Sequence, residues 1–308
     1  MKRYLLPKNT NSYKANLGCL TSLSIGKLTP KELKNTYMSK GYSIVAFSDF
    51  DYLQSHSELC DDNFLAITSY KAAIENYCFT LYSQTEENNK ISLPKTEQDI
   101  QKTVNEFIEK ANESGYLVCI DHPAKSMQTY HDYDKLSAYF ALEIADYSSL
   151  VEGYIEDNNH IFDRVLRGST APIYPLACDG NINSYPFEST KNDSFGAFTM
   201  IYADNLKYGS IISALEKGEF YCSTGPKFEE IYIEDNKIHI KCSPVRSIRL
   251  LNEGRDAPIV IAKENELLTE AVFEIDTAFM GRFMRVDIRD DNGNFADTVP
   301  YYFDLIGE

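Results

Sequence analysis

Short apolar runs alternate with helical patterns from the N-terminus to about residue 220, and this alternation restricts the fold more than any other feature. The apolar runs have the length of buried strands and read "SIVAF", "NFLAI", "YLVCI", "YFALEIA" and "PIYPLAC". Between them, segment 96–115 places Val104, Phe107 and Ile108 on one helical face and ends at Gly115. This alternation predicts an α/β fold with a largely parallel sheet.

The segment "TPKELKNTYMSKG" carries a complete set of signals for a helix start. Thr29 is placed to cap the helix, Pro30 fits its first position, and Glu32 can close a capping box with Thr29. Gly41 is suited to end the helix. A loop therefore joins this helix to the preceding run "NLGCL", at the place where α/β enzymes position catalytic groups.

Charged residues follow several of the predicted strands. They are Asp49 and Asp51 after "SIVAF", Lys71 after "NFLAI", Asp121 and His122 after "YLVCI", Asp146 after "LEIA", and Asp179 after "PLAC". The carboxyl ends of parallel strands form the edge at which barrel and doubly wound folds build their sites. Each residue taken singly also fits a turn or a helix cap, but the set predicts a shared site.

The pattern changes near residue 220. Beyond it, alternating runs such as "EEIYIED", "NKIHIKCS" and "FMRVDIRDDNGN" are separated by Asp-Asn and Asn-Gly turn sequences. We therefore predict two domains, an α/β domain over 1–222 and a small antiparallel β-sandwich over 223–308.

Charge and cysteine usage restrict the partners and the compartment. The net charge of −16 makes nucleic acid and anionic membranes unfavourable partners. The seven cysteines are scattered and form no Cys-x-x-Cys pair, which favours reduced thiols and a cytoplasmic location. No apolar stretch approaches the length of a membrane span, so we expect no membrane association.

The order of these motifs resembles one family. "YKANLGCLTSLSIGKLTPKELKNTYMSKGYSIVAFSDFD" is similar to the opening of PHP (polymerase and histidinol phosphatase) domains, and "YLVCIDHPAKS", "PLACDG" and "ALEKGEFYCSTGP" continue the likeness. The resemblance implies a distorted β/α (TIM-like) barrel followed by a β-sandwich. It also implies a metal-dependent phosphoesterase ancestry.

The metal ligands implied by the resemblance are mostly replaced. Gly18 and Leu20 stand at two histidine positions, Ile25 at an aspartate, Phe50 at a histidine and Lys71 at a bridging glutamate. Ile182 stands at a further histidine position. His122 and Asp179 are the clear remaining ligands, and they are our candidates for metal binding. Apolar side chains cannot ligate metal, and Lys71 would repel it, so we expect a non-catalytic pseudoenzyme.

Several roles stay open for the remnant pocket, whose predicted members are Cys19, Asp49, Asp51, Lys71, His122, Lys125, Cys178 and Asp179. In one, Lys71 pairs with Asp49, Asp51 or Asp179 and closes the pocket. In another, Lys71, His122 and Lys125 bind a phosphate- or carboxylate-bearing small molecule.

The kind of partner and the metal content stay open as well. The chain could bind a protein instead of a small molecule. We expect no cofactor, and the alternative is a single zinc or manganese ion held by His122 and Asp179, with Cys19 and Cys178 on nearby loops. The competing function is a metal-dependent phosphoesterase with a reduced site.

Overall fold

The computed structural model describes residues 2–155, 157–254 and 257–306. Its strands are β1 (Arg3–Tyr4), β2 (Asn11–Cys19), β3 (Ile44–Phe47), β4 (Leu65–Ile74), β5 (Tyr77–Ser83), β6 (Tyr116–Ile120), β7 (Ala141–Asp146), β8 (Tyr174–Cys178), β9 (Phe198–Ala203), β10 (Phe220–Ser223), β11 (Phe228–Glu234), β12 (Lys237–Val245), β13 (Ser247–Asn252), β14 (Ile259–Ile261), β15 (Leu268–Glu274), β16 (Phe283–Arg289), β17 (Phe295–Thr298) and β18 (Tyr301–Tyr302). Its helices are α1 (Pro30–Ser39), α2 (Ile100–Glu113), α3 (Tyr130–Tyr133), α4 (Tyr147–Val151), α5 (Asn159–Gly168), α6 (Tyr208–Lys217), α7 (Thr277–Met280) and α8 (Phe303–Ile306).

The two helices with the clearest sequence signals are confirmed. The side chain of Thr29 accepts a hydrogen bond from the backbone of Glu32 and the Glu32 carboxylate accepts one from the backbone of Thr29, so the capping box of α1 is complete. Helix α2 buries Val104, Phe107 and Ile108, the face predicted from its spacing.

A large mixed sheet organises most of the chain. Its order is β14-β13-β16-β17-β10-β9-β2-β3-β4-β5-β6-β7-β8. The pairs β2–β3, β3–β4, β6–β7 and β7–β8 are parallel, whereas β5 runs antiparallel to both of its neighbours. The predicted α/β class is therefore confirmed, but the sheet is mixed and not largely parallel as predicted, because β5 and the C-terminal strands pair antiparallel.

Closure of this sheet into a barrel is not confirmed. Strand β9 pairs with β2 from Asn11 to Ala15 and so occupies the edge that β8 would need. In the described part of the chain, the link from β8 to β2 is limited to the residues that follow β8. There Gly180 N donates to Gly18 O (2.9 Å) and Leu20 N donates to Asn181 O (3.2 Å).

The C-terminal region adds antiparallel strands on both sides of one apolar core. A smaller sheet has the order β1-β11-β12-β15, and its buried side chains share a core cluster with those of β13 and β16. Strand β10 pairs with β9 on one side and with β17 on the other, so the large sheet runs across the predicted boundary at residue 222. The division into domains 1–222 and 223–308 stays a prediction.

The helices were compared with the length and apolarity that a membrane-spanning helix needs. Among the described residues, no helix has both the length and the apolar character needed to cross a membrane.

Candidate functional site

Lys71, a predicted member of the remnant pocket, forms a buried ion pair with Asp121. The Lys71 ammonium donates to the Asp121 carboxylate and to the hydroxyl of Thr80 at 2.8 Å. Lys71 is 3% exposed and Asp121 is 1% exposed, so the pair is shielded from water. Burial lowers the pKa of Lys71, but the surrounding negative charges, led by that of Asp121, outweigh burial and hold the pKa well above its usual value.

The partner of Lys71 differs from the prediction, which was Asp49, Asp51 or Asp179. The reason is that Lys71 does not follow a strand but lies inside β4, which continues to Ile74 and pairs with β5. Lys71 stands opposite Thr80 on β5, and β5 pairs next with β6, after which Asp121 follows directly. The antiparallel insertion of β5 therefore sets the pairing.

Glu143 was missed as a site residue, although a single acidic residue inside the apolar run "ALEIA" was a visible signal. It is 3% exposed on β7 and accepts hydrogen bonds from the Cys178 thiol and from the backbone N of His122 (2.7 Å). Burial, followed by the charges of Asp121 and Asp146, raises the pKa of Glu143 well above its usual value. Glu143 thus joins β7, β8 and the segment after β6.

His122 has a constrained backbone and a hydrogen-bonded ring. Its φ is +33°, which is rare for a residue with a Cβ. Its Nδ1 is hydrogen-bonded to the hydroxyl of Ser126 at 3.1 Å. Burial is the main reason that the pKa of His122 is lowered. The ring is therefore held in place, with Nε2 as its second polar atom.

Asp179 is fully buried, and both of its carboxylate oxygens are engaged. Oδ2 accepts from the hydroxyl of Tyr37 (2.7 Å) and from the backbone N of Phe195 (2.8 Å). Oδ1 accepts from the backbone N of Gly196 (3.0 Å) and of Ala197 (2.9 Å). Burial raises the pKa of Asp179 to about 6, against these donors. The carboxylate therefore orders the loop before β9, and its role as a metal ligand stays a prediction.

Asp49 and Asp51 separate after β3. Asp49 is 2% exposed and accepts hydrogen bonds from Thr21 N (2.9 Å), the Thr21 hydroxyl (2.7 Å) and the Ser24 hydroxyl (2.5 Å). Asp51 lies on the surface, where its carboxylate pairs with Lys90 at 2.5 Å. Asp49 thus fixes the loop after β2, while Asp51 faces solvent.

The remaining predicted pocket members are also dispersed. Cys19 and Cys178 end strands β2 and β8 instead of lying on loops, because each strand extends to its cysteine. Both thiols are buried, and burial is the main cause of their raised pKa values. Lys125 is partly exposed and pairs with Glu152 at 2.8 Å. The structure therefore brings Lys71, His122 and Cys178 together through Asp121 and Glu143.

At Gly18 the backbone of β2 lies close to the side chain of Cys178. A Cβ built at Gly18 would lie 2.5 Å from the sulfur of Cys178, so a larger side chain there requires the Cys178 side chain to move. Leu20 is buried, and Ile25 is 46% exposed. A histidine at position 18 would thus clash with the Cys178 side chain as it is placed here.

The residues present do not fit the metal cluster implied by the family resemblance. A cluster of divalent ions needs several free carboxylate or imidazole ligands. Here Asp49 and Asp179 accept hydrogen bonds from their neighbours, and Lys71 places an ammonium beside Asp121. We therefore derive no catalytic step through such a cluster.

Comparisons with known proteins give matches among solved structures. No protein-family model matches the chain. No curated protein matches it. The chain is similar to a two-domain protein from Bacteroides vulgatus that contains a predicted PHP-like metal-dependent phosphoesterase, with 12% identity, a TM-score of 0.48, and coverage of 97% of this chain and 98% of that chain.

Another match is a protein from Bifidobacterium adolescentis proposed to be a metal-dependent phosphoesterase. Identity is 11% and the TM-score is 0.38, with 56% of this chain and 88% of that chain covered. We draw no conclusion about activity from either structure. The family named for the Bacteroides vulgatus protein is the one that the sequence motifs of this chain resemble.

Proposed function

We propose that this chain is a non-catalytic relative of the PHP phosphoesterases that acts by binding a partner. The observation that carries this proposal is the buried pair between Lys71 and Asp121. An ammonium bound to a carboxylate, at the position where the resemblance implies a bridging metal ligand, puts a fixed positive charge in place of a metal cluster. Metal-dependent phosphoester hydrolysis relies on such a cluster as a Lewis acid and to activate water.

A protein partner is better supported than an anionic small molecule bound through Lys71. The Lys71 ammonium is already bonded to Asp121 and Thr80 and is shielded from solvent, and Lys125 pairs with Glu152. The Lys71 ammonium is therefore not presented to a phosphate or carboxylate. Anion binding through Lys71 would require its buried pair with Asp121 to break.

A surface cleft supports a binding role. It has a volume of about 290 Å³ and lies between the region around α4 and the turn before β17. Among its lining residues, Leu150, Tyr154 and Ile155 are apolar side chains with 40% or more of their surface exposed. Exposed apolar surface of this kind is typical of interaction sites.

The proposal is tested by assaying the purified chain against a panel of phosphomonoesters and phosphodiesters with added manganese or zinc. We expect no turnover above that of the metal alone. Turnover that His122→Ala or Asp179→Ala abolishes would overturn the proposal. It would instead establish the competing function, a metal-dependent phosphoesterase with a reduced site, which the grouping of His122 with Cys78 and Asp121 favours.

A further inference from the structure

We propose that Cys78, Asp121 and His122 form a binding site for one zinc ion. The ligand atoms of these three side chains all lie within 4.8 Å of one another. The backbone brings them together because Asp121 N donates to Cys78 O at 2.9 Å across strands β5 and β6, and His122 follows Asp121. Of the three, the family resemblance implies a metal role for His122 alone.

One oxygen of Asp121 has no N–H or O–H donor among the described residues. Oδ1 of Asp121 is buried and accepts from no such donor there, whereas Oδ2 accepts from Lys71 and Thr80. An unpaired buried carboxylate oxygen is costly, and native proteins satisfy nearly all such atoms. A metal ion beside Cys78 and His122 would satisfy it.

The imidazole of His122 is oriented as in a metal ligand. Ser126 engages Nδ1 at 3.1 Å, and the backbone N of His122 donates to Glu143 at 2.7 Å. Ligating histidines generally have one ring nitrogen hydrogen-bonded, which fixes the tautomer and presents the other nitrogen to the metal. Ser126 thus restrains the orientation of the His122 ring.

The charges at the site are compatible with a single ion. The formal charges of one zinc ion, the Cys78 thiolate and the Asp121 carboxylate sum to zero. Lys71 therefore faces no net positive charge. Lys71 and Thr80 remain bonded to Oδ2 of Asp121 and orient its other oxygen. A second ion would add two positive charges beside Lys71, which limits the site to one.

The ligand types select zinc. Thiolate, imidazole and carboxylate are the usual zinc ligands, and the thiolate disfavours magnesium and manganese. Binding forms a Zn–S bond, breaks the S–H bond of Cys78 and releases that proton to solvent. Three protein ligands leave the fourth tetrahedral position for water or for a donor from a bound partner.

Cobalt titration of the metal-free full-length chain tests the site, because thiolate ligation of Co²⁺ gives a charge-transfer band in the near ultraviolet. We expect saturation at about one ion per chain, displacement by zinc, and loss of the band in Cys78→Ser. Ser126→Ala should bind Co²⁺ about tenfold more weakly. Cys242→Ser removes another buried cysteine, on β12, and should keep the band.

The absence of a charge-transfer band in the wild-type chain would overturn the zinc site. A band that persists in Cys78→Ser would also overturn it, as would unchanged affinity in Ser126→Ala, a substitution in a partly exposed loop that leaves the strands untouched. Because this readout is spectroscopic, it is independent of phosphoester turnover. Zinc binding without turnover would uphold both proposals, and turnover without zinc binding at Cys78 would contradict both.

Discussion

Lys71 and Asp121 form an ion pair in the interior of the protein, with Lys71 on β4 and Asp121 directly after β6. Strand β5 lies between them in the sheet and contributes Thr80, whose hydroxyl accepts from Lys71 (2.8 Å) and donates to Asp121 (2.8 Å). The pair therefore joins strands from both sides of β5 in the interior of the protein.

Lys71→Met should reduce the free energy of unfolding by about 3–5 kcal/mol, because it leaves the Asp121 carboxylate buried without its cation. The double variant Lys71→Met/Asp121→Leu should lose much less than the sum of the single variants. Denaturant unfolding with a chelator present measures these values without a contribution from metal.

Lys90→Met is the matched control for the buried pair, since Lys90 pairs with Asp51 at the surface. This variant should change the unfolding free energy by less than about 1 kcal/mol. Equal effects of Lys71→Met and Lys90→Met would show that burial adds nothing to the pairing of Lys71.

Gly18→Ala should destabilise the chain by about 1–3 kcal/mol, because the new Cβ would lie 2.5 Å from the Cys178 sulfur. The cost should shrink in a Cys178→Ala background, where that sulfur is absent. Thermal and denaturant unfolding of the two single variants and the double variant measure the coupling.

Gly209→Ala provides the control for the glycine substitution. Among the described residues, no atom beyond the chain neighbours and the backbone of helix α6 lies within 4 Å of a Cβ at Gly209, so alanine should be neutral or stabilising there. A cost at Gly209 equal to that at Gly18 would rule out the contact with Cys178 as the cause.

Asp179 should titrate with a pKa of about 6 in the folded chain, above its usual value of 3.8, because it is fully buried. The folded state then holds this proton more tightly than the unfolded state. The contribution of Asp179 to the unfolding free energy therefore falls as the pH rises from 3.8 to about 6, by about 3 kcal/mol at 1.4 kcal/mol per pKa unit.

Carbon-detected NMR of the aspartate carboxyl groups, assigned with Asp179→Asn, measures this pKa. The stability difference between wild type and Asp179→Asn should also decrease over the same pH interval. A pKa below 3.8 would show that the donors Tyr37, Phe195, Gly196 and Ala197 outweigh burial.

Local signals in the sequence were sufficient to predict several elements. The start of α1 is determined locally by Thr29, Pro30 and Glu32. The buried face of α2 is determined by the spacing of Val104, Phe107 and Ile108. Such features depend on residues within about one helical turn of each other, so the sequence pattern contains them.

The site depends on the pairing of β5 with β4 and β6, which no local sequence pattern contains. Lys71 meets Asp121 because β5 enters the sheet between β4 and β6, and the register of that pairing places Thr80 beside Lys71. The replaced ligand positions predicted that the implied metal cluster would not fit. They did not predict Cys78 or Glu143, whose neighbours come from other strands.

The central claim is that the metal cluster implied by the family resemblance does not assemble around Lys71. Electron paramagnetic resonance of the wild-type chain during Mn²⁺ titration tests this claim most directly, because two ions held at a shared site give a spin-coupled signal. We predict signals of free or isolated Mn²⁺ alone, since Lys71 already holds Asp121 and the carboxylates of Asp49 and Asp179 are engaged. A spin-coupled manganese pair that is lost in His122→Ala would contradict the account.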